Sequence, residues 1–239
     1  MNYYQRYMRK LRAGRRINPR GMPVTAAYNM VYQFMPGTCW RRPKDNPAIG
    51  FAEGLQFIAG IEDKDAIAAA APHVNLDLFG PTSFYGVRII GQIERVINEL
   101  RKDPFSRRAA LFIAHETDTS ETVPCTMNIT FYIGEDGSLC STVNMRSSDA
   151  VWGLPYDQIQ FGMLHIVVAN CIDKPVGECT LNIVNAHIYD DHPGGTQWVP
   201  NNFYIPKLEN YEAYKKWATE LVSYKLDRQS LEKYFKLSE

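Results

Sequence analysis

This 239-residue chain has no C-x-x-C pair, no excess of one charge sign and no long apolar run. Its five cysteines, at 39, 125, 140, 171 and 179, are odd in number and irregularly spaced, which excludes a disulfide framework or a zinc knuckle as the organising device. A bound metal is therefore not expected. Lys and Arg number 26 against 26 Asp and Glu; without a broad positive field, direct binding of nucleic acid is not expected. No stretch approaches the roughly 18 apolar residues of a membrane span, and the N-terminus lacks an apolar secretory core. These absences point to a soluble, cytoplasmic protein. The acid-free stretch Met1 to Arg20 leaves a weak organelle presequence as an alternative. With no internal repeat or low-complexity linker, residues 1–239 read as one domain.

What is present suffices for a full core: 45% hydrophobic residues and 22% charged. Phe51 to Gly60 and the acidic, alanine-rich stretch from Ile61 to Ala71 read as helices. From Val87 to Lys102, Ile90, Ile93, Val96, Ile97 and Leu100 recur at helical intervals, predicting one long amphipathic helix. Three short segments rich in β-branched or aromatic residues read as antiparallel strands: Arg108 to Ala114, Thr126 to Ile133 and Ser138 to Met145. Gly134 to Gly137 forms the turn between the last two. Gln158 to Cys171 is apolar on nearly every side and reads as a buried helix. Glu178 to Tyr189 reads as a further strand, and the tail from Tyr211 as one or two helices. The order implies an α+β fold, a mixed sheet packed by helices.

Several residues can carry chemistry. Cys125 follows a proline at the start of a predicted strand. Alone it reads as a small core residue, but cations nearby would lower its pKa and make it a nucleophile. Arg20, Arg107, Arg108 and Arg146 with Ser147 suit a phosphate dianion, although paired arginines after a helix also serve as a solvated cap. Glu53 in an apolar helix suits a proton carrier if buried; an exposed face or an internal ion pair is the alternative. His187 and Tyr189, two apart on a strand, share one face and can meet sugar hydroxyls or simply pack.

In order and spacing, four blocks resemble the signature motifs of the thymidylate synthase superfamily. They are Val123-Pro124-Cys125, Arg146-Ser147-Ser148-Asp149, Gly153-Leu154-Pro155-Tyr156-Asp157 and Asn185-Ala186-His187-Ile188-Tyr189. Phe51-Ala52-Glu53 and Asp103 to Arg108 are similar to two further family segments, so the resemblance spans roughly residues 15–192. It implies a thymidylate synthase-like fold whose sheets form a homodimer interface. It also implies a pyrimidine nucleotide monophosphate and 5,10-methylenetetrahydrofolate as substrates, with Cys125 adding to C6 of the base. Carried over by position, Arg20, Arg146 and Ser147 hold the phosphate, with Arg107 and Arg108 reaching in from the second subunit. Glu53 and Tyr85 serve the proton relay, Asp149 is the catalytic acid near the base and the folate, and His187 and Tyr189 meet the sugar 3'-hydroxyl. Asp149, Phe79 and Trp152, with Asp77, lie near the folate.

The departures are informative. Asp157 stands where thymidylate synthases carry asparagine. An amide offers one donor and one acceptor to uracil, whereas a carboxylate accepts from the N4 amino group of cytosine and from N3 once that atom is protonated. Thr126 after the cysteine and Asn144-Met145 before Arg146 are similar to the deoxycytidylate hydroxymethylase branch of the superfamily. That resemblance implies conversion of dCMP to 5-hydroxymethyl-dCMP, a step toward hypermodified DNA in bacterial viruses. The segment Lys233 to Glu239 (KYFKLSE) does not match the small apolar end that closes over folate in the synthases. Methylation of dCMP or CMP, a dUMP-specific enzyme, and a non-catalytic nucleotide-binding scaffold remain the alternatives.

Overall fold

The computed structural model describes residues 3–80, 82–191 and 198–237; Ser238 and Glu239, within the C-terminal segment considered above, lie outside the described residues. Helix α1 (Tyr3–Arg12) buries Tyr4, Tyr7, Met8 and Leu11 and turns its basic side chains to solvent, so these ten residues of the acid-free stretch form an amphipathic helix, while Met1 and Asn2 lie outside the described residues. Strands β1 (Arg15–Ile17), β2 (Val24–Phe34) and β3 (Thr38–Arg41) follow. Helix α2 (Ala48–Ala59) stops at Gly60, whose φ of 70° is a left-handed C-cap. Helix α3 (Lys64–Ala70) starts later than its composition suggests, because the Asp63 side chain caps the Ala66 N–H at 3.1 Å.

The single long helix expected over 87–102 is instead two, α4 (Tyr85–Arg88) and α5 (Gln92–Lys102). Gly91, at φ 76°, breaks the run, and Ile90, expected on the apolar face, is 72% exposed. The strand expected over 108–114 shortens to β4 (Ala110–Phe112), since Ile113 and Ala114 both donate to the Met127 carbonyl and the ladder ends there. Strands β5 (Thr126–Ile133) and β6 (Leu139–Asp149) form the expected hairpin, with Gly137 at φ 80° in the turn. Helix α6 (Leu154–Cys171) begins before the apolar run does, with Pro155 in its first turn, and places Asp157 inside the helix. Strands β7 (Val176–Tyr189) and β8 (Val199–Asn202) and helices α7 (Tyr211–Ser223) and α8 (Arg228–Tyr234) complete the order.

The main sheet runs β1-β2-β7-β6-β5-β4, antiparallel except for the parallel β6–β7 pair, and β3–β8 form a separate ribbon. The fold is therefore α+β with a mixed sheet. One sheet face, with Met30, Tyr32, Ile129, Phe131, Val143, Leu181 and Ile183, belongs to the same hydrophobic core as α6. Each such side chain stabilises the fold by roughly 1.5–3 kcal/mol. The residues between them are partly exposed and mostly uncharged. Asn182 donates to Asn144 at 3.2 Å and Asn144 to Asn128 at 2.8 Å across three strands. Among the described residues, no helix is long and apolar enough to cross a membrane.

Helix α2 lies directly on α6 because Gly50 and Gly54 remove side chains from the contact. A Cβ on Gly50 would lie 2.9 Å from Ile159, and one on Gly54 would lie 2.5 Å from Met163 Sδ and 3.3 Å from Gln160 Cα. This approach carries Glu53 on α2 and Asp157 on α6 to the same space.

Candidate active site

That space is a cavity of about 620 Å³, within the range of small-molecule sites. Its wall brings together six of the residues singled out from the sequence: Glu53, Phe79, Tyr85, Cys125, Trp152 and Asp157. They come from α2, the loop before α4, α4 itself, the turn before β5, the turn before α6, and α6.

Burial dominates the electrostatics. It pushes Glu53 from 4.5 up to about 8, with the neighbouring Asp157 adding to the rise. It pushes Asp157 from 3.8 up to about 7, helped by the charge of Asp149 and opposed by hydrogen bonds from Gln160 and Ser148. Burial, then Asp157 and Cys125, hold Tyr85 well above the ordinary phenol value. Tyr85 is thus a neutral hydroxyl, able to pass a proton but not to act as a phenolate base. The site holds two carboxyls that titrate near neutrality, as proton-transfer chemistry requires.

One expectation needs correction, and one residue has a second task. Desolvation by the surrounding wall, with Asp157 adding to it, raises the Cys125 pKa, although the residue itself is exposed; the nearby cations Arg146 and Arg20 do lower it as expected but are outweighed. The Arg146 side chain is also a clamp on the cysteine loop. Its Nε donates to the Pro124 carbonyl and its second terminal nitrogen to the Val123 carbonyl, both at 2.9 Å. Two of its five N–H groups are thereby occupied, leaving three for an anion.

The other expected residues are not part of the cavity wall. Ser147 Oγ lies 3.4 Å from His187 Nδ1, and the His187 and Tyr189 rings meet edge to face at 5.1 Å on one face of β7. Asp149 accepts from the Val151 N–H at 2.8 Å and so shapes the turn into α6. Arg20 is exposed at a left-handed φ of 53°, and its charge reaches Cys125 and Tyr189. Arg107 and Arg108 are exposed on the segment leading into β4 and do not contribute to the wall, nor does Asp77, which is exposed on its own short turn.

Sequence reasoning passed over Gln160 and Ser148, the two residues bonded to Asp157. Gln160 Nε2 donates to Oδ1 at 3.1 Å and Ser148 Oγ to Oδ2 at 3.4 Å. Helical spacing could have found Gln160, since i and i+3 share a face. It also passed over Tyr156 and the His73 to Asn75 side of the cavity, where the sequence shows no periodic signal. No cluster of three or more metal-ligating side chains occurs among the described residues.

Residues 41–236 match the family model described as thymidylate synthase. The chain belongs to the thymidylate synthase family. Within that family it is 30% identical to the thymidylate synthase of Bacillus licheniformis over 130 residues, 54% of this chain and 44% of that protein. Against the thymidylate synthase of Bacillus mojavensis it is 28% identical, with the same coverage. The matched stretch thus spans less than half the length of these thymidylate synthases. The thymidylate synthase match takes in every cavity residue named above, while α1 and Arg20 precede it.

Proposed function

We propose that the protein transfers a one-carbon unit from 5,10-methylenetetrahydrofolate to C5 of dCMP and releases 5-hydroxymethyl-dCMP and tetrahydrofolate. The observation that carries the choice of cytosine is a carboxyl, Asp157, on the same cavity wall as Cys125.

The Cys125 thiolate adds to C6, which makes C5 nucleophilic, and Asp157 faces N3 and the C4 substituent, where charge develops. Arg146, Ser147 and Arg20 hold the phosphate; an anion there adds to the need for their positive charge beside the thiol. His187 and Tyr189 meet the sugar. Methylenetetrahydrofolate supplies the one-carbon unit, and Phe79 and Trp152 offer apolar and aromatic surface for its ring. Glu53 and neutral Tyr85 move the C5 proton away. Breaking the carbon–nitrogen bond to the departing tetrahydrofolate leaves an exocyclic methylene on C5. A water molecule positioned by Glu53 adds its hydroxyl there and gives its proton to the Glu53 carboxylate, while the C6–S bond breaks and Cys125 leaves as thiolate.

The active unit in this proposal is a homodimer formed through the mostly uncharged outer sheet face, with Arg107 and Arg108 serving the neighbouring site. A second reading, methylation of dUMP, is supported by the names of the relatives. The deciding experiment incubates the protein with methylenetetrahydrofolate and dCMP, dUMP or CMP and resolves products by mass spectrometry. A gain of CH2O on dCMP is expected. A gain of CH2 on dUMP, with dihydrofolate, would overturn the proposal.

A further inference from the structure

We infer that Gln160 is a positioning residue for base choice: by donating to Oδ1 of Asp157 it forces any proton on that carboxyl onto Oδ2, and so selects cytosine against uracil. The inference rests on the reading of Asp157 as the group that faces the base.

An aspartic acid alone does not discriminate. A protonated carboxyl carries one donor and one acceptor, like an amide, and can present them in either order. In one order it accepts from N4–H of cytosine and donates to N3; in the other it donates to O4 of uracil and accepts from N3–H. The neighbours of Asp157 remove that freedom. Gln160 is 5% exposed, and its amide nitrogen can only donate, so Oδ1 must accept. The Ser148 hydroxyl at Oδ2 can donate or accept by rotating, so that oxygen tolerates a proton.

Orientation follows from the packing. Gln160 sits against α2, its Cα 3.3 Å from where a Gly54 Cβ would be, next in sequence to Glu53, which serves C5. Ser148 lies on β6 beside Ser147 and Arg146, on the sugar and phosphate side. Oδ1 therefore faces the C4 substituent and Oδ2 faces N3. Cytosine finds an acceptor at N4–H and a donor at N3, while the O4 of uracil meets a second bare oxygen. Such buried mispairing is what gives hydrogen-bonded sites their selectivity.

The test compares binding of dCMP and of dUMP, without folate, in wild type, Gln160→Met and Asp157→Asn, by calorimetry. Methionine keeps the volume and loses the donor. In Gln160→Met, dUMP should bind about tenfold tighter, equivalent to about 1.4 kcal/mol, with dCMP changed by less than about threefold. A merely structural defect would weaken both nucleotides together, and that result would overturn the inference, as would unchanged dUMP binding. The Gln160 hydrogen bond lowers the Asp157 pKa, so in Gln160→Met the loss of dCMP binding with rising pH should move to higher pH. Glu53 on α2, Asp149 on β6, Tyr7 on α1, Tyr85 and Cys125 also act on or respond to Asp157 and are identical in both proteins. An unmoved profile would count against the proposed role. Gln160→Leu serves in the same way should the methionine variant fail to fold. Should Asp157→Asn leave base preference unchanged, the reading of Asp157 fails and takes this inference with it. Should Asp157→Asn favour dUMP while both Gln160 variants retain wild-type preference, the inference about Gln160 alone fails.

Discussion

Arg146 donates from Nε to the carbonyl of Pro124 at 2.9 Å, so a residue that the sequence marks for phosphate also fixes the peptide directly before the Cys125 thiol. The backbone N–H of Arg146 reinforces this by donating to the Cys125 carbonyl at 2.9 Å. Lysine would keep the charge but cannot bridge two carbonyls with a planar fork. Arg146→Lys should therefore lower kcat/KM by roughly 10- to 100-fold, the scale of one or two charge-assisted hydrogen bonds. It should also broaden access to Cys125, measured as faster iodoacetamide labelling in the absence of nucleotide. Unchanged labelling would mean that the loop is held by other contacts.

Asp157→Asn tests the proposed cytosine recognition. Asparagine fixes one donor and one acceptor, which removes the proton-dependent choice available to the acid. The ratio of kcat/KM for dCMP over dUMP should fall by about 100-fold or more, since recognition through buried hydrogen bonds reaches 10⁴ or above. Competition between the two nucleotides in one reaction, read by product mass, gives the ratio directly. A ratio within about threefold of wild type would remove the argument for cytosine.

The parts of the fold that were legible are those where periodicity and burial agree. Helix α6 is buried almost all round, and its run of apolar residues reads as such; the β5–β6 hairpin is set by Gly137. Strand β2 was not legible, because Tyr28 is exposed at a position of inward parity and the outward positions include apolar Ala27 and Val31. The break at Gly91 was missed because Ile90 continues the apolar spacing while its side chain points to solvent. In the site, the cavity wall was legible through local motifs. The thiol pKa was not: its sign depends on burial competing with two arginines, which no spacing reveals. Nor was the Ser148–Asp157–Gln160 contact, which requires β6 and the first turns of α6 to be placed side by side.

Buried Asp157 and half-buried Glu53 give the stability a defined pH dependence. Glu53 and Asp157 are raised in the folded protein, to about 8 and about 7, from ordinary values of 4.5 and 3.8. Between those limits the native state binds more protons than the unfolded chain, so stability falls as pH rises. Their contribution is fully present below the unfolded values and is lost as pH passes through the folded ones. The drop in Tm between about pH 5.5 and about pH 8.5 should be smaller in Glu53→Gln and Asp157→Asn than in wild type, measured by calorimetry in matched buffers. An equal drop in all three proteins would place the titrating groups elsewhere.

Gly86 follows Tyr85 and lies against α2, where a Cβ would come within 2.3 Å of the Gln56 carbonyl oxygen and 3.0 Å of Phe57 Cα. Both are backbone atoms of a helix and have little room to move. Gly86→Ala should destabilise the protein by about 1–3 kcal/mol and lower kcat through displacement of Tyr85. Gly80, with nothing within 4 Å of its would-be Cβ, supplies the control. Gly80→Ala should leave both quantities unchanged; equal effects from the two variants would rule out the close approach as the cause.

Arg107 and Arg108 are exposed at the sheet edge, beyond the cavity of their own chain, yet they are the best remaining cations for a phosphate. If each serves the site of a neighbouring copy, two inactive variants should restore one another. Cys125→Ser subunits lack the thiol, and Arg107→Ala/Arg108→Ala subunits lack the arginines. Random pairing of equal amounts makes half the dimers mixed, and each mixed dimer holds one site with both functions intact. Activity should therefore recover to about a quarter of wild type after mixing through mild denaturant and refolding, while each variant alone stays inactive. Sedimentation of the same samples distinguishes the outcomes: mixed dimers with no recovery would place the arginines in their own subunit's chemistry, and monomers throughout would remove the shared site altogether.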